Sequence, residues 1–396
     1  MSEGCRPGEE RWRFETDAEI TGSPTVYDGT VYVGNHDGTV FAVDRITGEQ
    51  RWTFETDGAV RSAPTVFGSV VYVGSADGNV YELDRERGTE RWRYQTDGPI
   101  QGSPAVFDLV LYVGSRDGQV YAFDLLNRTQ AWAFETGADI VSAPLVAEGS
   151  VLVGNTDGTV YAIDAGDGTS QWQFDADGEI RTAPTTAQEV LYLGDRSGTM
   201  YALDITTGSE FGRLSGDANP DSLGDYTAIT TPTVIGETVF FGNYLGRIYA
   251  ARISSEVQGT LWNTEGLLAI QSAPAVAGGH VYVGDVSRLS ALDVDSGEEA
   301  WVFDPAEAEQ FRSAPTVFDD TVYVGNDNGT LYAIATEDDT ESRDTRTSLG
   351  TLGHHDRHAI FQTSTGLRRY AGAPEENALE TSKRINAKLA AAIGEE

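Results

Sequence analysis

The sequence predicts an all-β fold: an eight-bladed β-propeller of four-stranded blades, with an N-terminal strand closing the last blade. Two series of residues predict the repeat. A Ser, Ala or Thr followed by proline recurs at Pro24, Pro64, Pro104, Pro144, Pro184, Pro232, Pro274 and Pro315, at spacings of 40, 40, 40, 40, 48, 42 and 41 residues. A Val-Tyr-Val-Gly motif or a close variant begins at Val31, Val71, Leu111, Val151, Leu191, Val239, Val281 and Val322. A unit of this period cannot bury its own apolar face and has to stack on its neighbours. The third observation is a mismatch of phase. Trp12 precedes the first of these prolines, whereas the last unit stops at Leu331-Tyr332-Ala333-Ile334 with no tryptophan run after it. The strand around Trp12 is therefore expected to complete the eighth blade, which removes the sheet edge that an open ring would expose.

Within a unit the elements follow in constant order. In the second copy, Ala63 to Phe67, Val70 to Gly74, Val80 to Asp84 and Arg91 to Gln95 read as strands, joined by Gly68-Ser69, by Asp77-Gly78 and by a turn from Arg85 to Thr89. Short β-rich apolar runs bounded by turn residues mark the strands, and Asp-Gly between them favours a hairpin with positive φ at the glycine. The seven tryptophans are Trp12, Trp52, Trp92, Trp132, Trp172, Trp262 and Trp301, and Phe211 is assigned to the slot left over in the fifth blade. Each tryptophan is expected to lie between blades as a core residue, burying ~150–250 Å², worth about 4–6 kcal/mol as an upper figure. Asp37, Asp77, Asp117 and Asp157 are read as turn formers, because their loops lack the alternating oxygen ligands of a calcium-binding EF-hand. The expected organisation is a flexible N-terminus at 1–8, the propeller at 9–336, a polar linker at 337–374 and a short helix at 375–396, with Leu379, Ile385, Leu389 and Ile393 along one face.

Charge narrows the partners. The 396 residues carry 62 acidic and 27 basic side chains, a formal net charge of -35, and the only lysines are Lys383 and Lys388. Self-repulsion of this size is tolerated where concentrated salt screens it to within a few ångströms, so a halophilic source is expected. The acids are spread over every repeat, which argues against one surface built for a basic partner. Nucleic acid and anionic membrane surfaces are disfavoured, because phosphate binding needs clustered Lys and Arg. No apolar run reaches the ~18–20 residues of a membrane-spanning helix, and no leader of charged then apolar residues opens the chain. A cytoplasmic monomer is the expectation for the chain as it stands. Cys5, the one cysteine, follows Gly4 where a lipid-anchored N-terminus would fall if the true start lay upstream, and that would place the protein outside the cytoplasm. One cysteine admits no intrachain disulfide.

The pattern VYALD..TG...W.F.T followed by S/A-P.V..G.VYVG..DG resembles the tryptophan-docking repeat of the pyrroloquinoline-quinone (PQQ) propellers over about 325 residues, with departures in blades six and seven. The resemblance implies two functional branches, the quinone-dependent alcohol dehydrogenases and the non-catalytic BamB-type propellers that bind partner proteins. The dehydrogenases add large insertions that this chain lacks, so a non-catalytic scaffold for protein–protein interaction is expected. The branch that uses quinone seats it in the central funnel on Ca²⁺, with a catalytic aspartate and commonly a vicinal disulfide, which one cysteine excludes. Three residues ahead of the prolines stand Thr21, Arg61, Gln101, Val141, Arg181, Ile229, Gln271 and Arg312, read as the ring facing the funnel. That ring has no carboxylate, and a hard cation needs several oxygen ligands, so PQQ with calcium is disfavoured and no cofactor is expected. A quinone-dependent oxidoreductase and a sensor of a small anionic ligand stay open as alternatives.

The candidate partner- or ligand-binding residues of the funnel and the face around it are Arg61, Gln101, Arg181, Gln271, Arg312, Tyr244 and Arg288. The arginines suit an acidic peptide or carboxylate; the competing reading pairs them with neighbouring Asp or buried carbonyls. Tyr244 and Arg288 belong to hairpins that depart from Asp-Gly, Tyr244-Leu245-Gly246 and Val286-Ser287-Arg288-Leu289, and a long loop follows Phe211. Variant loops on a rigid scaffold are where binding residues concentrate. His354, His355 and His358 cluster in the tail with no second ligand group to support a metal site. No Ser/His/Asp set and no phosphate-binding glycine loop stands out.

Overall fold

A computed structural model describes residues 5–215, 229–253, 258–305 and 310–336. These residues form eight four-stranded antiparallel sheets and no α-helix. In blade 1 the strands run Thr25–Tyr27, Thr30–Gly34, Thr39–Asp44 and Gln50–Glu55, from the innermost outward. Blade 8 is built from Thr316–Phe318, Thr321–Gly325 and Thr330–Ala335, with Glu10–Glu15 from the other end of the chain as its outer strand. Trp12 pairs with Ala333 and Phe14 with Leu331, so the expected closure is present. The linker, the histidine cluster, the C-terminal helix and most of the long loop after Phe211 lie outside the described residues.

Three recurring devices hold the blades together. The innermost is a polar ring. At five of the eight prolines the next residue is a threonine, which donates its hydroxyl to the proline carbonyl of the next blade, from Thr25 to Pro64 at 2.6 Å, Thr65 to Pro104 at 2.7 Å, Thr185 to Pro232 at 2.8 Å and Thr233 to Pro274 at 2.7 Å; Ala105, Leu145 and Ala275 hold the other three positions. Thr316 reaches Pro24 at 2.6 Å and so joins the eighth blade to the first.

Just outside that ring lies a glycine-for-apolar exchange. The glycine ending each Val-Tyr-Val-Gly run faces a buried residue entering the following blade: Gly34 meets Val60, Gly114 meets Ile140 and Gly325 meets Ile20. A Cβ on these glycines would stand only 2.1–2.3 Å from that neighbour, closer than carbon atoms can approach. Any larger residue would force the blades apart.

The third device is the tryptophan dock. Trp12, Trp52, Trp132, Trp172 and Trp262 each donate the indole N–H to a turn carbonyl of the next blade, at 2.9–3.1 Å. Each indole lies on a glycine of positive φ, Gly48, Gly88, Gly168, Gly208 and Gly297 respectively. The Thr-Gly turn of the repeat is thus a seat for the preceding blade's tryptophan. Its aspartate sets the turn: Asp44 accepts the Ile46 and Thr47 N–H groups at 2.9 Å and pairs with Arg51 at 2.7 Å.

Three docks depart from this, and two of them correct the sequence expectation. In blade 3 the seat is Arg128 at φ 55°, not glycine. Its side chain occupies the seat, and Trp92 is displaced outward to 43% exposure rather than buried. The guanidinium stands 5.2 Å over the Trp92 ring and pairs at 3.1 Å with Glu82, a buried acid where most blades have alanine. In blade 5 the register places Gly212, not Phe211, opposite Ala202, the position that tryptophan holds elsewhere. The Gln258 side chain of blade 6 fills the vacancy. Blade 5 keeps the register and the bulge of the other blades, so the slot falls 40 residues after Trp172, at Gly212. In blade 7, Trp301 rests on Gly8, whose N–H bonds to Ala335 at 2.9 Å, so the N-terminal segment supplies the seat.

Trp52→Ala is expected to lose about 3–5 kcal/mol of stability and Trp92→Ala under about 1 kcal/mol, by chemical denaturation; equal losses would refute the dock. Removing residues 1–16 should leave an open, aggregation-prone ring, and a truncated protein that melts and elutes like the full chain would contradict the closure. Arg51 and the turn amides hold the Asp44 carboxyl down at about 2, and the Asn127 N–H and other groups of its turn lower Asp124 likewise. Carboxylates depressed in the folded state bind protons more weakly than in the unfolded chain, whose aspartates titrate near ~3.9. Their stabilisation is therefore complete above pH ~4 and is expected to fall between about pH 4 and 2 in an acid melt.

Candidate functional site

The channel mouth is built from two sets of loops. In blades 1 to 5 and 8 the hairpin between the second and third strands is clamped by backbone bonds between the segments entering its own blade and the next, as where His36 N–H bonds to Glu19 O at 2.9 Å and Val60 N–H to Asn35 O at 2.9 Å. The second hairpin residue is thereby set beside the residue three before the proline. Within the hairpin the repeats vary this position most: His36, Ala76, Arg116, Thr156, Arg196, Tyr244, Val286 and Asp327. That variation within an otherwise constant repeat was the available signal for His36, Arg116, Arg196 and Asp327, which sequence reasoning missed.

Most of the expected ring stands where the repeat puts it, with one correction. Ile229 does not face the channel. It is buried at 4% exposure against Gly194, in the slot that Ile180 fills against Gly154, and its N–H bonds to Asp195 O as Ile180 N–H bonds to Asn155 O. Ile180 lies four residues before its proline and Ile229 only three. The entry to blade 6 is one residue short, and the position held by Arg181 in blade 5 has no counterpart there.

A cavity of about 250 Å³ opens at that gap, lined by Arg181, Arg196, Tyr244 and Gln271 together with Thr182, Asp195, Ile229, Thr230, Thr231 and Ala273. It gathers three of the candidate residues, from blades 5, 6 and 7. Arg181 and Arg196 both reach Glu179, at 2.7 and 3.4 Å, and the two arginines hold that carboxyl below the usual glutamate range. Asp195, almost wholly buried, accepts the Ser197 hydroxyl at 2.8 Å and the Tyr201 hydroxyl at 3.0 Å. Leu245 and Leu268 are exposed beside the mouth, and the Leu268 N–H is held by Asp285 at 3.0 Å.

Across the channel a second charged group surrounds blade 1. Glu19 Oε2 lies 3.1 Å from His36 Nδ1, Thr21 Oγ1 lies 2.8 Å from His36 Nε2, and Arg61 Nε approaches the same Nε2 at 3.4 Å. Burial and the Arg61 charge lower the His36 pKa. Arg312 pairs with Asp327 at 3.1 Å and donates to Gln310 at 3.0 Å, while burial raises the Asp327 carboxyl. A third pair joins Arg116 to Asp139 at 2.8 Å. Gln101 is half-buried in the ring. Arg288 lies outside the cavity, pairing with Glu299 of its own blade's outer strand at 3.2 Å.

The fold has many counterparts. The structure of BamB from Moraxella catarrhalis aligns with a TM-score of 0.69 and 18% identity over 83% of this chain and 99% of that one. Quinohemoprotein alcohol dehydrogenase from Comamonas testosteroni aligns with a TM-score of 0.68 and 16% identity over 83% and 76%. A computationally designed protein, Ika8, aligns with a TM-score of 0.71 and 20% identity over 81% and 97%. At these identities the likeness is one of fold. No curated protein sequence matches the chain. Residues 285–350 match the family profile described as outer membrane protein assembly factor BamB, which bears out the resemblance to the PQQ-type repeat. Residues 4–218, more than half of the chain, match the profile described as the β-propeller of the β-alanine-activating enzyme, and the chain belongs to that β-propeller family.

Proposed function

We propose that this chain is a partner-binding scaffold that grips a carboxylate-bearing, partly apolar segment of another protein at the cavity between blades 5 and 7. The observation that carries the reading is the missing channel residue of blade 6, which opens a pocket where Arg181, Arg196, Tyr244 and Gln271 converge. Arg181 pairs with Glu179 through Nε, and its terminal N–H groups are donors able to take a second carboxylate. Tyr244 adds an amphipathic contact, and Leu245 and Leu268 offer an apolar shelf beside it. BamB, whose fold is similar, is by its name an assembly factor.

The quinone-dependent alternative fits these residues poorly. Calcium takes six to eight oxygen ligands, carboxylates among them. The channel ring has none, and Glu19, Asp139, Glu179 and Asp327 beside it each face a histidine or arginine. Among the described residues no three His, Cys, Asp or Glu stand together as a metal site.

The test is a calorimetric titration in molar salt, with a synthetic peptide of alternating Glu and Leu as one ligand, glutarate as a second and PQQ with Ca²⁺ as a third. Peptide binding that weakens at least tenfold in Arg181→Ala and in Tyr244→Ala, without a change in melting temperature, is the expected result. Glutarate binding as tightly as the peptide would favour a small-anion sensor, and stoichiometric PQQ binding would overturn the scaffold reading.

A further inference from the structure

We infer that Glu19, His36 and Thr21 form a nucleophilic array at the channel mouth, on the opposite arc from the cavity, in which Thr21 takes the acyl group of a carboxylate-bearing ester. The neighbouring groups favour one set of proton positions. Arg61 Nε–H can only donate, so the His36 Nε2 atom it approaches at 3.4 Å is an acceptor. The imidazole proton then sits on Nδ1 and is donated to Glu19 Oε2 at 3.1 Å. With Nε2 a lone pair, the Thr21 hydroxyl at 2.8 Å donates to it. A hydroxyl donating to a histidine that is itself oriented by a carboxylate is the relation that activates a nucleophile.

The surroundings suit that role. Burial and the nearby Arg61 and Arg312 charges disfavour the imidazolium, against the smaller opposing pull of Glu19 and Asp37, so His36 is neutral near pH 7 and has its lone pair available to take a proton. Arg61 and Arg312, both exposed, flank His36 and provide cationic ground for the carboxylate of a substrate or for a developing oxyanion. Thr21 and His36 are only partly buried, so the array opens onto the channel rather than being sealed in the core.

The chemistry balances without any cofactor. Thr21 Oγ1 attacks the ester carbonyl as its proton passes to His36 Nε2, and the C–O bond to the alcohol breaks as that proton is returned to the leaving oxygen. Water, deprotonated by His36, then attacks the threonyl ester, releases the acid and restores the hydroxyl.

The probe is the mono-p-nitrophenyl ester of succinic acid, read by p-nitrophenol release and by mass spectrometry of the digested protein. The inference expects one succinyl group on the peptide containing Thr21. The adduct should be absent in Thr21→Val, retained in Thr21→Ser, and formed about a hundredfold more slowly in His36→Gln. Arg61→Ala should slow acylation by the succinyl ester more than acylation by p-nitrophenyl acetate, which has no carboxylate to bind. An adduct elsewhere, no adduct, or one that survives in Thr21→Val overturns the inference. The cavity of blades 5–7 is not involved, so either reading can fail alone.

Discussion

Everything in this propeller depends on the pairing of Glu10–Glu15 with Thr330–Ala335. The other seven blades are each local in sequence, but a ring of such blades has no stable end. Without the eighth outer strand the backbone groups of residues 330–335 would face solvent as an open edge. Joining the two ends also places Thr316 within reach of Pro24 and Trp12 on Gly48, so the polar ring and a tryptophan dock both cross the seam. The N-terminal segment contributes again through Gly8, which seats Trp301.

The blade contacts are built on glycine, and the failures of the pattern make the reason visible. Where glycine gives way to Arg128, the indole cannot sit, and an otherwise costly buried acid, Glu82, becomes the partner of the displaced charge. Tyr94 completes that arrangement by donating to Glu82 at 3.1 Å. Where the tryptophan itself is replaced by Gly212, a glutamine from the neighbouring blade takes its volume. In each case the interior is refilled by side chains from two blades, as close packing requires.

The channel mouth shows how a repeated frame acquires distinct sites. Backbone clamps hold six of the hairpins alike, so chemistry changes chiefly through the hairpin's second residue and through chain length at one entry. His36 beside Thr21 and Glu19 gives a hydrogen-bonded array on one side, and the shortened entry of blade 6 gives a cavity on the other. The extreme acidity of the chain sets off these few arginines, almost all of which pair with an acid near them.

Much of this was legible without a structure. The proline and Val-Tyr-Val-Gly spacings specify eight blades, and the phase of Trp12 specifies the closure, because β-strand periodicity and turn chemistry are local properties that each repeat restates. The places of Arg61, Arg181, Gln271 and Arg312, three residues before their prolines, are legible from the same spacing. What escaped were features that depend on register and on contacts between blades. Ile229 is three residues before its proline, yet it turns inward because the apolar slot against Gly194 has to be filled. Gly212 rather than Phe211 sits opposite Ala202 because blade 5 keeps the register of the blades that carry tryptophan there. Trp92 is exposed because its seat, 36 residues further along the chain, is an arginine. Sequence repetition therefore determines the architecture, while burial and register, which are settled only when blades meet, decide which side chains reach the sites.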